Sequence, residues 1–176
     1  IFDTKIKNPI GLAAGFDKSA EVYNSLFRFG FGFIEIGTVT PREQYGNPKP
    51  RVFRLENDRA LINRLGFNNN GIEKVSQRLQ KNSPSGFLGI NIGPNKDSEN
   101  RTDDYLKCIK KINTFANYIT INISSPNTPG LRDFHDHSTL KNLLKDITDF
   151  TKKNNIHKPL ALKVSPDIAD SEIGSI

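Results

Sequence analysis

Short apolar segments alternate with helical segments along the whole chain, and this alternation restricts the possible folds more than any other feature. Five segments are predicted to be strands: "NPIGLAAG", "FGFIEIGT", "GFLGINIG", "NYITINIS" and "PLALKVSP". Helical spacing occurs between them, as for Ile72, Val75 and Leu79. Strands that are almost continuously apolar and alternate with helices predict a parallel sheet with helices packed on it. The fold class is therefore α/β.

Two α/β architectures fit this alternation, a doubly wound sheet and a (β/α)8 TIM barrel. A doubly wound dinucleotide domain has G-x-G-x-x-G after its first strand, and "GLAAGFDKSA" does not match it. The predicted strands also end in small or polar residues, and a barrel builds its active site from such ends. These ends are Ala13-Ala14-Gly15, Gly37-Thr38, Asn91, Asn122 and Lys163. We therefore predict the barrel.

The length and the ends of the chain indicate part of a barrel. The chain has 176 residues, whereas a closed barrel typically needs about 250. It opens on "IFDTKIKNPIGLAAG" and closes on "ADSEIGSI", so both ends read as cut. We expect residues 1–176 to be the N-terminal part of a catalytic barrel, covering about the first five strand–helix units and lacking the last three strands.

Local signals predict some element boundaries. Within the insertion 41–70, "RVFRL" and "RALIN" are predicted to form a hairpin. Ser19 and Thr102 are the expected N-caps of two helices, and Gly30 is expected to end the first of these helices.

Composition excludes several classes of site. Cys108 is the single cysteine and there are only three histidines, which excludes an internal disulfide and argues against a zinc site, so no metal is expected. The sequence has no apolar run of about 18 residues that would span a membrane. The net charge of +6 suits an anionic ligand or a nucleic acid and decides between neither.

The polar residues at the strand ends are mostly neutral amides, joined by two lysines. Paired carboxylates and a Ser–His–Asp arrangement are both missing, which argues against hydrolysis by a triad. Amides donate and accept hydrogen bonds, which suits a planar ligand edged with carbonyl and N–H groups. Lysines suit a carboxylate or a reduced flavin. The residues are Asn63, Asn91, Asn122, Asn127, Lys18 and Lys163, whereas Asn68, Asn69 and Asn70 are interpreted as ordinary loop residues.

Six motifs together resemble the dihydroorotate dehydrogenase family, and within it the quinone-dependent class 2 branch. They are "NPIGLAAGFDK", "GFIEIGTVTPREQYGNPKPRVFRL", "INRLGFNNNG", "LGINIGPNK", "INISSPNTPGLR" and "LALKVSPD", and they span nearly the whole chain. The resemblance implies oxidation of (S)-dihydroorotate to orotate in de novo pyrimidine (UMP) biosynthesis. FMN would be the hydride acceptor and a quinone the final electron acceptor.

The resemblance also implies a role for each matching residue. The cofactor contacts would be Ala13, Ala14, Gly15, Lys18, Thr38, Asn91, Asn122 and Lys163. The substrate contacts would be Lys18, Asn63, Arg64, Leu65, Gly66, Phe67, Asn122 and Asn127, with the insertion 41–70 on the substrate side. Ser125 would be the catalytic base that removes the C5 proton.

A serine is a weak base by itself, so the site must assist Ser125. Thr128 could relay the proton, with Phe67 shielding its path. The class 1 branch has a cysteine at the base position, and here that position is Ser125, so class 2 is the better match.

Class 2 members carry an N-terminal helical segment that contacts the membrane and admits the quinone. We expect this segment, and the site for the flavin phosphate, to lie outside residues 1–176. The resemblance implies a peripheral membrane protein of the bacterial cytoplasmic membrane or the mitochondrial inner membrane.

Two alternatives compete with this interpretation. Another FMN barrel, such as a tRNA dihydrouridine synthase, would suit the basic charge, but that family uses a cysteine acid where this loop has Ser125. A nucleic-acid-binding module would need basic and aromatic residues on one face. Lys110-Lys111 and Lys152-Lys153 are instead predicted on outer helix faces, so no nucleic-acid partner is expected.

Overall fold

The main sheet has five parallel strands, in agreement with the predicted α/β class. The computed structural model describes residues 1–128, 130–131, 134, 136–168 and 173–174. The elements in chain order are β1 (Gly11–Leu12), α1 (Tyr23–Phe27), β2 (Phe33–Val39), β3 (Val52–Leu55), β4 (Ala60–Asn63), α2 (Gly71–Lys81), β5 (Phe87–Ile92), α3 (Arg101–Ile112), β6 (Tyr118–Asn122), α4 (His137–Lys153) and β7 (Leu160–Lys163).

The order of strands in the main sheet is β1-β2-β5-β6-β7, and every neighbouring pair is parallel. Each of these strands therefore lies beside the previous strand of this sheet, with at least one helix in the connection between them. Because the strands are parallel and adjacent, their C-terminal ends meet along one edge of the sheet. The predicted polar strand ends share that edge.

The central strands have two chemically different faces. Their isoleucines are buried in the hydrophobic core, as Ile34, Ile90 and Ile119 illustrate with 0% exposure. Successive side chains of a strand point to opposite faces, so Glu35, Asn91 and their neighbours of the same parity lie on the other face. The core thus occupies one side of the sheet, and polar residues occupy the side that would face the interior of a barrel.

Apolar stripes hold the helices on the sheet. In α2 the predicted residues Ile72, Val75 and Leu79 are all buried, and in α4 Leu143 and Ile147 are buried in the same core. Such stripes at a spacing of three and four residues form one face of a helix. Packing of these faces, more than helix propensity, accounts for the stability of these helices.

Two predicted N-caps are wrong. The cap of α3 is Asn100, whose side chain accepts a hydrogen bond from the backbone N–H of Asp103, and Thr102 lies inside the helix. The cap position of α1 is Val22, and Ser19 instead accepts from the backbone N–H of Asn70. Several polar residues near each helix start could serve as a cap, and only three-dimensional contacts distinguish them.

The insertion contains the predicted hairpin. β3 and β4 form a separate antiparallel sheet that pairs Val52 with Asn63. Its side chains are exposed, including the apolar Leu61 and Ile62. The hairpin returns the chain to the C-terminal edge of the main sheet, where residues 63–67 lie beside the strand ends.

No helix in the described ranges combines the length and the apolar character that a membrane crossing requires.

Candidate active site

A cavity of about 390 Å³ opens at the C-terminal edge of the main sheet. Its walls come from the ends of β2, β4, β6 and β7 and from the segments after β1, β4, β6 and β7, so distant parts of the sequence converge there. Most of the predicted site residues line it. They are Ala14, Gly15, Lys18, Thr38, Asn63, Leu65, Gly66, Phe67, Asn122, Ser125, Asn127 and Lys163.

Three predicted site residues do not line this cavity. Ala13 is exposed beside it. Arg64 points toward the hairpin, where its guanidinium donates to the Pro50 carbonyl and lies 5.9 Å from the centre of the Phe53 ring. Asn91 is fully buried behind the cavity wall. Their proposed ligand contacts stay predictions.

A buried hydrogen-bond network joins the ends of β2, β5 and β6. The Thr38 hydroxyl donates to Asn91 Oδ1 over 2.7 Å. The Asn122 amide nitrogen donates to Thr38 Oγ1 over 3.0 Å and to Asn91 Oδ1 over 3.1 Å. Because these polar side chains satisfy one another in a buried place, the network holds the cavity floor in one arrangement.

Lys163 reaches the same network from β7. Its Nζ donates to Ser124 Oγ over 2.9 Å, and Ser124 Oγ donates to Asn122 Oδ1 over 2.8 Å. Lysine in a parallel strand is costly unless the ammonium is solvated or paired. Here the side chain is exposed toward the cavity, so the sequence-based expectation of a polar surrounding for Lys163 is confirmed.

The loop after β6 presents Ser125 and Asn127 to the cavity. The backbone N–H of Asn127 donates to Ser125 Oγ over 3.2 Å. The Asn127 side chain donates weakly, over 3.4 Å, to the Asn63 carbonyl, which links this loop to the insertion. Thr128 Oγ1 is buried and has no hydrogen-bond partner in the described part of the chain. This segment therefore offers two hydroxyl groups close together in sequence.

Lys18 contributes a second ammonium from the loop after β1. Burial, and secondarily the positive charge of Arg51, lower the pKa of Lys18 below its usual value. Buried Asp17 holds this loop by accepting hydrogen bonds from the backbone N–H groups of Glu21 and Val22, each over 2.8 Å. An anion in the cavity would offset the desolvation of the Lys18 ammonium.

Sequence reasoning missed several residues of the site. Ser124, Pro126, Pro166 and Asp167 line the cavity, and Glu35 lies behind it on β2. A signal existed for Glu35, which is the only charged residue of the apolar segment "FGFIEIGT". Ser124 follows Asn122 by two positions, the spacing that places side chains on the same face of an extended chain.

The interpretation of the asparagine run is wrong for Asn69. This side chain is buried, and its Oδ1 accepts from the backbone N–H groups of Thr40 and Gly71. Its amide nitrogen donates to Thr40 Oγ1 over 2.8 Å. Asn69 therefore fixes the return of the insertion to the main sheet.

Comparison with known proteins identifies the family. A family model described as "Dihydroorotate dehydrogenase" matches residues 1–176. The chain belongs to the dihydroorotate dehydrogenase family. It is 52% identical over 176 residues to a Bartonella tribocorum protein named dihydroorotate dehydrogenase (quinone), covering 98% of this chain and 49% of that protein. A mitochondrial protein of Cyclocybe aegerita with the same name is 49% identical, covering 96% of this chain and 53% of the relative.

A crystal structure of dihydroorotate dehydrogenase from Eimeria tenella in complex with ferulenol has a TM-score of 0.88 and 40% identity, covering 96% of this chain and 52% of that one. Together with the parallel sheet, this likeness confirms the predicted partial TIM barrel. The resemblance to the quinone-dependent branch is likewise confirmed by the names of the relatives. The chain spans about half the length of the curated relatives that it matches.

Proposed function

We propose that the protein carrying this chain oxidises (S)-dihydroorotate to orotate, with FMN as hydride acceptor and a quinone as final electron acceptor, in pyrimidine biosynthesis. The observation that carries the proposal is the convergence of Ser125, Asn127 and Lys163 on one cavity. These residues come from the ends of β6 and β7. The resemblance assigns Ser125 to proton removal, Asn127 to substrate binding and Lys163 to flavin binding. The names of the relatives support the quinone as electron acceptor.

The residues present fit a flavin. The cavity volume of about 390 Å³ lies within the range of roughly 300–1,000 Å³ that small-molecule sites occupy. At Gly15, with φ of +113°, a Cβ would meet only Lys18 Nζ, at 3.8 Å, so the backbone can be approached closely. Asn122 and Thr38 lie at the cavity, as does the ammonium of Lys163, which can stabilise negative charge on a reduced ring. When bound, FMN would accept the hydride from C6 of the substrate.

Substrate binding is assigned to the amides and to Lys18. Asn63 and Asn127 line the cavity and are joined by the hydrogen bond from Asn127 Nδ2 to the Asn63 carbonyl, and Lys18 also lines the cavity. Amides can pair with the ring carbonyl and N–H groups of dihydroorotate, and an ammonium can pair with its carboxylate. Such fixed polar partners would orient C5 toward Ser125.

Ser125 is assigned the removal of the C5 proton. The backbone N–H of Asn127 that donates to Ser125 Oγ would stabilise negative charge developing on that oxygen. The buried hydroxyl of Thr128, two residues after Pro126, is a candidate for passing the proton onward. Phe67 lies at the cavity wall and would limit access of water to this path.

A peripheral location at a membrane forms part of the proposal, because a quinone is the final acceptor. The membrane contact would come from a segment other than the residues described. The bacterial cytoplasmic membrane and the mitochondrial inner membrane are the two candidates, since relatives of both kinds are similar to this chain.

The proposal is tested with the complete protein that carries this chain. We expect the purified protein to show flavin absorbance and to reduce a short-chain ubiquinone only when dihydroorotate is supplied. The extracted cofactor should be FMN by mass spectrometry. Reduction of uridine in tRNA, without turnover of dihydroorotate, would show the alternative flavin barrel function instead. A colourless protein without either activity would contradict both.

Two alanine variants should separate the substrate from the flavin. Asn127→Ala is expected to weaken orotate binding about tenfold or more, because a buried hydrogen bond lost to the ligand costs about 1–3 kcal/mol. It should leave the flavin spectrum almost unchanged. Lys163→Ala is expected to shift the flavin spectrum and weaken flavin retention, with a smaller effect on orotate. Spectral titration with orotate measures both. Equal effects of the two variants on both ligands would contradict this division of the site.

A further inference from the structure

Glu35 accepts three hydrogen bonds behind the cavity. The side-chain amide of Asn91 donates to Oε1 over 2.8 Å, and the hydroxyls of Tyr118 and Thr120 each donate to Oε2 over 2.8 Å. The donors come from β5 and β6, so the carboxylate joins three neighbouring strands on the polar face of the sheet. Glu35 does not line the cavity itself.

The packing of Tyr118 explains how a hydroxyl reaches Glu35 across β5. Gly89 lies between them in the sheet, paired with Glu35 on one side and with Tyr118 on the other. A Cβ at residue 89 would lie 2.2 Å from the ring carbon Cζ of Tyr118, so the ring occupies the space above this glycine. Burial, and secondarily the charge of Glu35, raise the pKa of Tyr118, which keeps it a donor.

The orientation of the Asn91 amide follows from Glu35. Glu35 Oε1 accepts from the Asn91 amide nitrogen, and two hydroxyls donate to Oε2, so the Asn91 oxygen faces the other side. That oxygen accepts from Thr38 Oγ1 and from Asn122 Nδ2. The two ends of an amide have nearly the same shape, and only such partners decide which end faces which neighbour.

The opposite end of the network has fixed donors. The backbone N–H of Ser124 donates to Asn122 Oδ1 over 3.0 Å, so the Asn122 nitrogen must face Thr38 and Asn91. The Lys163 ammonium can only donate, and it donates to Ser124 Oγ. The hydrogen bonds therefore run in one direction, from Lys163 through Ser124, Asn122 and Asn91 to Glu35.

We propose that Glu35 is a positioning residue, which fixes the orientation of the Asn91 amide, keeps the Asn91 oxygen as the acceptor for Thr38 and Asn122, and so prepares the cavity floor for its ligands. This inference rests on the proposed function for the identity of the ligands, whereas the orientation of the Asn91 amide follows from hydrogen bonds among the protein's own side chains. Glu35 does not line the cavity and acts through Asn91.

The first test uses the flavin-free complete protein with ¹⁵N-labelled asparagine. The side-chain amide signals of Asn91 and Asn122 are assigned by their loss in Asn91→Ala and Asn122→Ala. We expect Glu35→Gln to accelerate hydrogen exchange of both amides about tenfold or more, because glutamine can donate or accept and no longer imposes one orientation. The matched control is Thr120→Val, which removes a hydrogen bond to the same carboxylate. Because it leaves the bond between Glu35 and Asn91 in place, the Asn122 exchange rate should stay within about twofold of the native value. Native exchange of both amides in Glu35→Gln, or an equal effect of Thr120→Val, would overturn the proposal.

The second test measures FMN binding to the flavin-stripped protein by quenching of flavin fluorescence. Glu35→Gln is expected to weaken FMN binding about tenfold, and the double variant Glu35→Gln/Asn91→Asp to recover most of this loss. In the double variant the carboxylate at residue 91 accepts from residue 35 and from Asn122, which restores the acceptor of the Asn122 amide nitrogen. A Glu35→Gln variant that binds like the native protein, or a folded double variant without recovery, would overturn the proposal.

The two tests also separate this inference from the proposed function. If the native protein binds no FMN, the proposed function fails, and the amide exchange measurement still decides the role of Glu35. If Glu35→Gln does not fold, folding and amide exchange are measured on the double variant instead. Recovery of native amide exchange at Asn122 supports the proposal, and a variant that stays unfolded contradicts it.

Discussion

Replacing Ser125 by alanine in the complete protein is expected to slow flavin reduction by dihydroorotate about 10²–10⁴-fold, the usual cost of losing a general base. Ser125 lines the cavity, and its Oγ already accepts a hydrogen bond from the backbone N–H of Asn127. Orotate binding should change by less than about tenfold, because the amides that bind the ring are unaltered. Stopped-flow absorbance in the absence of quinone measures the reduction step directly.

The neighbouring serine provides a matched control for this variant. Ser124→Ala removes the hydroxyl that links Lys163 to Asn122, and it leaves Ser125 in place. We expect it to slow reduction much less than Ser125→Ala and to alter the flavin spectrum more. Reduction by the Ser125→Ala variant at close to the native rate would show that another group removes the proton.

Replacing Gly37 by alanine is expected to destabilise the protein by roughly 3 kcal/mol or more and to abolish flavin retention. Gly37 has φ of +107°, where an L side chain is strained, and a Cβ there would lie 2.3 Å from the backbone oxygen of Asn91. Its own N–H and carbonyl bind the loop after β1, through Asp17 and Gly15. Displacing this backbone would therefore disturb two walls of the cavity at once.

Gly30 is the matched control for Gly37. It also has positive φ, +94°, but a Cβ at that position meets nothing within 4 Å. Gly30→Ala should therefore cost only the conformational penalty, about 1–2 kcal/mol. Urea unfolding of both variants measures the difference. If Gly37→Ala costs no more than Gly30→Ala, close packing against Asn91 is not what requires glycine at position 37.

The strands and the general position of the site could be predicted from the sequence. Five apolar segments with polar ends predict parallel strands, and parallel strands must bring those ends to one edge. The predicted residues Thr38, Asn122 and Lys163 do meet at the cavity for this reason. The predicted end of the first helix is wrong by three residues, because α1 ends at Phe27 and Gly30 lies beyond its cap residue Arg28.

The different positions of Asn91 and Asn122 could not be predicted in the same way. Both follow apolar strand residues, and the sequence predicts a ligand contact for both, yet Asn122 lines the cavity and Asn91 lies fully buried behind it. Which amide faces the cavity depends on the partners supplied by neighbouring strands, and here Glu35 binds Asn91. Spacing along one strand carries no information about such partners.

The N-caps and Asn69 show the same limit at shorter range. Asn100 and Thr102 are both acceptable caps by residue type, and the backbone geometry selects Asn100. Asn69 occurs within a run of three asparagines in a chain rich in this residue, so composition pointed to an ordinary loop. Its structural role depends on contacts with Thr40, which directly precedes the insertion, whereas Asn69 lies near the end of the insertion.

The strand order of the main sheet has a consequence for how the chain folds as it is synthesised. Each strand of this sheet pairs with the strand made immediately before it in the same sheet, and the intervening β3–β4 hairpin pairs only with itself. Among the five described strands of this sheet, each finds its earlier neighbour already made, so pairing among them can proceed from β1 toward β7 as the chain leaves the ribosome. Of the residues that line the cavity, Lys163 of β7 and then Pro166 and Asp167 would be the last to join it.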